Sequence, residues 1–211
     1  PDLKKYVKKY YGDYSGDLFS VFIFNNSNLV KTNGYAAFMT PFVWMFIKTY
    51  EKLRNFIVKN KKIDSLIQME YSAFEEATVP INTFIIKNTT NENTGTYLKL
   101  LAFKGGMNVQ KKRVLAAITD PSVDYLYRTN QAKFEMIPGY KISYWISDKT
   151  LASFQYSPIK NFGIVKSGIM VPSSFVRCWF EVSKDNIQFN STTLDDMRGY
   201  KWFPLNSGGG F

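Results

Sequence analysis

The chain has 211 residues, 45% hydrophobic and 17% aromatic, with 27 Lys+Arg against 17 Asp+Glu and a formal charge of +10. With no histidine and one cysteine, it can build no Ser-His-Asp or Cys-His catalytic group, no imidazole metal site and no internal disulfide. The basic excess favours polyanionic partners, nucleic acid or an anionic membrane face, and the length suits one large domain or two small ones.

Asp17 to Val30 is expected to form a helix. Gly16-Asp17 offers its N-cap, and Leu18, Val21, Phe22, Leu29 and Val30 fall near one face, which is expected to be the buried one. Asn33-Gly34 stops it. Tyr35-Ala-Ala-Phe-Met-Thr40 is a short continuous apolar run closed by Pro41, the pattern of a buried parallel strand. Phe46 to Lys59 returns to helical spacing, with Tyr50, Leu53, Phe56 and Ile57 buried and Lys52, Arg54 and Lys59 solvated. Ile63 to Met69 and Ile81 to Lys87 follow as strands, separated by the irregular stretch Glu70 to Pro80. No room exists between those two for a crossover helix, so they are expected to pair antiparallel. The layout is α/β: a mostly parallel sheet finished by a reversed, terminal antiparallel strand.

Beyond Asn88 a polar turn cluster leads into a strand-like stretch, Tyr97 to Phe103, ended by Lys104-Gly-Gly106. Val109 to Ile118 is a short helix candidate. From about Tyr140 short aromatic runs are broken by Pro, Gly, Ser and Asn, which reads as β-rich or irregular. This divides the chain into residues 1–90, a connecting segment 91–139, and a second module 140–211. Cys178, in Arg177-Cys178-Trp179-Phe180, is expected to be a small buried thiol on a strand, and a lone cysteine suits a reducing compartment. The most apolar window, Tyr35 to Ile47, is short of the roughly 20 residues needed to span a bilayer. No apolar signal core follows the lysines of residues 4–9, so a cytoplasmic protein without a membrane is expected. Pro1 and the abrupt Gly-Gly-Gly-Phe211 suggest a piece of something longer.

Several local sequences then carry a resemblance. Asp17-Leu-Phe-Ser-Val-Phe22-Ile, Lys31-Thr-Asn-Gly-Tyr-Ala-Ala-Phe-Met-Thr-Pro41, Trp44 and Tyr50-Glu-Lys-Leu-Arg54 resemble the second half of an amino-group DNA methyltransferase. Ala73-Phe74-Glu-Glu-Ala-Thr-Val79 and Asn82-Thr-Phe-Ile-Ile86 continue the pattern, and Lys201-Trp-Phe-Pro-Leu-Asn-Ser-Gly-Gly209 is similar to a segment of such proteins' target-recognition region. The resemblance is to the large adenine-specific enzymes of BREX-type phage defence and single-chain restriction-modification. It implies the carboxyl-side half of a Rossmann-like methyltransferase sheet, followed by the start of a target-recognition region.

The family's Gly-rich loop and Asn-Pro-Pro-Tyr motif are not among these residues, so no catalytic residue is assigned here. What the resemblance implies is a division of labour. Phe74 would stack on the flipped base. Phe22 would pack against the adenine of S-adenosylmethionine, with Asp17 at the edge of that pocket or simply the cap of its helix. Glu75 and Glu76 read as solvated charge, and Asp120, Asp124 and Asp195-Asp196 lack nuclease-like spacing. Only five of the 27 cations are Arg, which favours phosphate attraction over base reading, with Lys111, Lys112 and Arg113 as the expected phosphate contact. The resemblance implies duplex DNA as the partner, with other phage-defence proteins as further partners. Methyl transfer to cytosine C5 is disfavoured because Cys178 lacks a Pro-Cys setting; transfer to cytosine N4 stays open. Two alternatives remain, a non-catalytic nucleic-acid-binding module and a partner-binding module of a defence complex.

Overall fold

The computed structural model describes residues 2–71, 73, 79–90, 94–163 and 173–205. Two compact units divide between Asn161 and Phe162. The first holds helices α1 (Asp2–Tyr10), α2 (Leu18–Leu29), α3 (Glu51–Asn60), α4 (Gly106–Thr119) and α5 (Asp148–Ser153). Its strands are β1 (Tyr35–Pro41), β2 (Lys62–Gln68), β3 (Ile81–Lys87), β4 (Thr94–Lys99) and β5 (Leu126–Asn130).

The α/β class expected from the sequence is what the first unit shows. Its five strands lie in the order β1-β3-β2-β4-β5. The expected antiparallel pairing of β2 with β3 is present, Leu66 facing Phe84. The sheet is not mostly parallel in its ladders, however. β3 lies between β1 and β2 and opposes both, β5 opposes β4, and only β2–β4 is a parallel ladder. The reversed strand expected at the end is therefore interior. A short connection fixes that β3 folds back along β2 but not on which side; β4 takes one edge of β2, so β3 takes the other. β1 is consequently an edge strand, with Tyr35 and Met39 exposed, rather than a buried parallel one. The sheet also takes in residues 94–130, within the stretch set apart in the sequence as a connector.

α2 begins where its cap was expected. Asp17 accepts from the Leu18 amide and forms a reciprocal capping box with Ser20. Its buried face differs from the expected one: Ser20, Val21, Ile23 and Ser27 face inward, whereas Leu18, Phe22 and Leu29 are exposed. The two serines cause this. Their hydroxyls bond back to the main chain, Ser27 Oγ donating to the Ile23 carbonyl at 2.6 Å and Ser20 Oγ to the Asp17 carbonyl at 2.6 Å. Satisfied in this way, small side chains let the helix approach closely without an unpaired polar group.

Two 3₁₀ turns, Phe42–Met45 and Lys48–Tyr50, precede the shorter α3. Arg54, expected in solvent, is 1% exposed. Its Nε donates to the Gly139 carbonyl at 2.7 Å, and its Nη1 to the carbonyls of Trp44 and Ile47 at 2.7 Å each. Burial lowers this guanidinium's pKa, and the nearby Glu51 charge works in the opposite direction. Gln131 acts similarly: its Nε2 donates to Val58 and Lys61 carbonyls at 2.9 and 2.6 Å, and its Oε1 accepts from the Ile63 amide at 2.8 Å. One side chain thus ties the end of α3 to the irregular start of β2.

The segment beyond Tyr140 is not β-rich among the described residues. It contains α5, short 3₁₀ turns and one isolated bridge, Ile187 to Trp202. Its apolar runs are too short to sustain a ladder. In the first unit they are packing residues instead: Ile142, Tyr144 and Leu151 are buried in the main core, against α3 and the sheet. Cys178, expected in a buried strand, is exposed and precedes a 3₁₀ turn, Trp179–Glu181. A strand-like composition without a partner strand buries nothing.

Candidate functional site

β1, β2 and β4 run in one direction, so their carboxyl ends share one edge of the sheet, where open α/β sheets commonly bind ligands. The register lines up rows of side chains across these strands. Phe38, Phe84, Leu66 and Tyr97 form an aromatic and aliphatic row. Two residues further along lies Thr40, Asn82, Gln68 and Lys99, polar throughout. Thr40 Oγ1 donates to Asn82 Oδ1 at 3.2 Å, Asn82 Nδ2 lies 3.3 Å from Met45 Sδ, and the Tyr144 hydroxyl donates to Gln68 Oε1 at 3.0 Å. Lys99 Nζ sits 4.1 Å from the centroid of the Trp145 ring. Asn82 and Gln68 are fully buried, so this row closes the core beneath the edge instead of opening onto it. No element taken singly displays this row; it follows from register alone.

The loop carrying Phe74 leaves from the same edge and returns to it. The Met69 amide donates to the Ile81 carbonyl at 3.1 Å and that of Phe42 to the Pro80 carbonyl at 3.1 Å. The Glu70 amide lies 3.4 Å from Gln110 Oε1 on α4, and the Ala73 amide donates to the Glu70 carbonyl at 3.1 Å. Ala73 is buried, so the residue before Phe74 is anchored. Phe74, Glu75 and Glu76 themselves lie outside the described residues.

The first turn of α2 packs toward the same region. The Phe19 ring lies 5.2 Å from that of Tyr50, which closes the 3₁₀ turns after β1. Burial, then the Asp17 charge, raises the Tyr50 phenol's pKa. Asp17 is occupied as the helix cap, whereas Phe22 is 54% exposed beside the exposed Leu18. Lys111, Lys112 and Arg113 are all exposed on α4. Successive residues of a helix turn by about 100°. Lys111 borders an apolar cavity of about 230 Å³ between α4 and the sheet, and the Arg113 guanidinium lies 4.2 Å from the Phe103 ring. Among the described residues no three His, Cys, Asp or Glu side chains could together hold a metal ion, and no helix is long and apolar enough to cross a membrane.

The Eco57I restriction-modification methylase family matches residues 1–74. Over 99% of its length the chain is 35% identical to the adenine-specific methyltransferase PglX of Lacticaseibacillus casei and 31% identical to the adenine-specific methyltransferase BrxX of Escherichia coli. It spans 18% and 17% of those two proteins. Among solved structures, a type I restriction-modification methyltransferase subunit from Streptococcus thermophilus is 16% identical, with a TM-score of 0.43, 53% of this chain and 26% of that chain covered. That likeness is too loose to bear on function. Sequence similarity runs along nearly the whole chain, which is similar to a segment making up under a fifth of the adenine-specific methyltransferases PglX and BrxX.

Proposed function

We propose that this chain contributes the carboxyl-side half of the catalytic core, and the beginning of the target-recognition region, to a longer enzyme that methylates adenine N6 in duplex DNA. The observation that carries this reading is 35% identity to PglX across 99% of the chain. The co-substrate is S-adenosylmethionine, whose sulfonium supplies the methyl group. Phe22 fits a purine of that co-substrate, since its ring is open to solvent on a helix whose inner face is already packed. Asp17 contributes by holding the first turn of that helix, its carboxylate being spent on the cap.

Reaching an exocyclic amine inside a duplex requires the base to be rotated out, at a cost of a few kcal/mol. Phe74 stacks on the extruded base from the loop between β2 and β3, recovering about 1–3 kcal/mol. The anchored Ala73 and the buried polar row give that loop a fixed base. Lys111, Lys112 and Arg113 attract DNA phosphates through separate contacts. The Asn-Pro-Pro-Tyr tetrapeptide is not in this sequence, so methyl transfer is an act of the longer protein. Phage defence and a cytoplasmic setting follow from the same reading.

The experiment is to express the longer protein, with the other proteins of its system, in a host lacking N6-methyladenine and sequence the genome for modified bases. N6-methyladenine at one recurrent motif is expected. Cytosine N4 methylation or an unmodified genome refutes the reading. For Phe74, Phe74→Ala in that protein should reduce both turnover and the emission of a fluorescent base analogue at the target; no change in either removes the stacking role.

A further inference from the structure

Within the second unit, a groove of about 660 Å³ is walled by Phe175, Trp179, Trp202 and Phe203 and carries the cations Arg177 and Lys201. Trp202 is held in place by main chain: it bridges Ile187, and its carbonyl accepts from the Gln188 amide at 3.0 Å. Arg177 is braced as well, Nη1 donating to the Ser174 and Val176 carbonyls at 3.2 and 2.7 Å. Its guanidinium lies 5.9 Å from the centroid of the Trp202 ring, and Lys201 Nζ lies 5.5 Å from it.

Three of the unit's four described carboxylates are engaged elsewhere: Asp195 pairs with Arg198 at 3.2 Å, Asp196 accepts from the Thr192 and Thr193 amides, and Glu181 accepts from the Cys178 amide. The fourth, Asp185, lies in the 3₁₀ turn Lys184–Asn186 and does not line the groove. No carboxylate is among the described residues lining the groove. An apolar protein segment covering it would strip water from two cations, one of them braced, at several kcal/mol each. A nucleotide strand matches both features, with bases for the rings and phosphates for the cations. The volume lies within the range of small-ligand pockets and suits one or two nucleotides.

We propose that this groove binds unstacked nucleotides of a DNA strand, with bases against Trp202 and Trp179 and phosphates on Arg177 and Lys201. The proposal rests on the parent enzyme being a DNA methyltransferase and names residues of its DNA contact. It is tested by titrating the 211-residue chain with a short oligothymidylate and following tryptophan quenching at several salt concentrations. Trp44 is fully buried and Trp145 partly buried in the first unit, so these two supply the background and the quenching lost in the Trp179 and Trp202 variants is the groove's own signal.

Trp202→Ala is expected to weaken binding about tenfold. Arg177→Gln with Lys201→Gln, which leaves the aromatic wall intact, should flatten the slope of log K against log salt by about 1.4 for two lost phosphate contacts. Trp179→Leu, at a side chain 76% exposed, gives a stacking test if Trp202→Ala disturbs the unit's folding. Absent binding, binding unchanged in all these variants, or an apolar dye held in the groove that the oligonucleotide does not displace would overturn the proposal. Genomic methylation is read separately. Methylation with variant-insensitive binding overturns the groove alone, and variant-sensitive binding without methylation overturns the enzyme reading alone.

Discussion

Replacing Arg54 should cost more stability than any surface change in α3. Its guanidinium makes three hydrogen bonds of 2.7 Å, to carbonyls from two chain segments, Trp44 and Ile47 in one and Gly139 in the other, and has almost no exposure to water. Charge-assisted bonds of this kind contribute about 1.5–3 kcal/mol each, so roughly 4–9 kcal/mol of gross interaction disappears in Arg54→Met. Removing the buried charge returns several kcal/mol of desolvation, but the carbonyls then face an apolar side chain. A net loss of about 3–5 kcal/mol is expected. Arg54→Lys should recover only part of it, because one ammonium lacks the planar fork that reaches Gly139, Trp44 and Ile47 together. Urea denaturation followed by tryptophan emission provides the assay, since Trp44 is fully buried and its carbonyl is one of the three acceptors. A loss under 1 kcal/mol for Arg54→Met, or full stability in Arg54→Lys, would show that Arg54 is not a structural clamp.

Gln131→Leu leaves the Val58 and Lys61 carbonyls and the Ile63 amide without this partner, and about 3 kcal/mol of stability should go with faster hydrogen exchange at Ile63. At Gly95 an added Cβ would lie 2.3 Å from the Ile63 carbonyl oxygen, so Gly95→Ala should lower stability by about 1–3 kcal/mol in thermal or urea melts. The Tyr97 and Tyr144 phenols are raised above the ordinary 10.0, chiefly by burial. A raised folded pKa means the native state keeps its protons while the unfolded chain releases them. Their contribution is therefore complete below pH 10.0 and declines above it, and Tyr144→Phe should show a shallower alkaline loss in denaturation series. Phe22→Ala should change stability by no more than about 0.5 kcal/mol, because the ring is exposed, while weakening S-adenosylmethionine binding by the longer protein in calorimetry.

Much of the local structure was legible in the residue order. Asp17 announced the start of α2, Asn33 with its positive φ of 61° ended the approach to β1, and β3 spans the expected residues. The candidate site was legible only in part. Phe22 could be named from its segment, yet its exposure depended on two serines turning the helix.

Local sequence by itself determined the α/β class, the caps and most element positions, and it carries the similarity to adenine-specific methyltransferases, because these depend on short-range patterns and shared residues. Tertiary structure alone decided which side of β2 received β3, that Arg54 and Gln131 became buried clamps, and that Thr40, Asn82, Gln68 and Lys99 fell into one row. Each of those outcomes joins residues far apart in the chain. A side chain's partners are set by strand register and by which neighbours exclude water, and neither quantity is encoded within a single element.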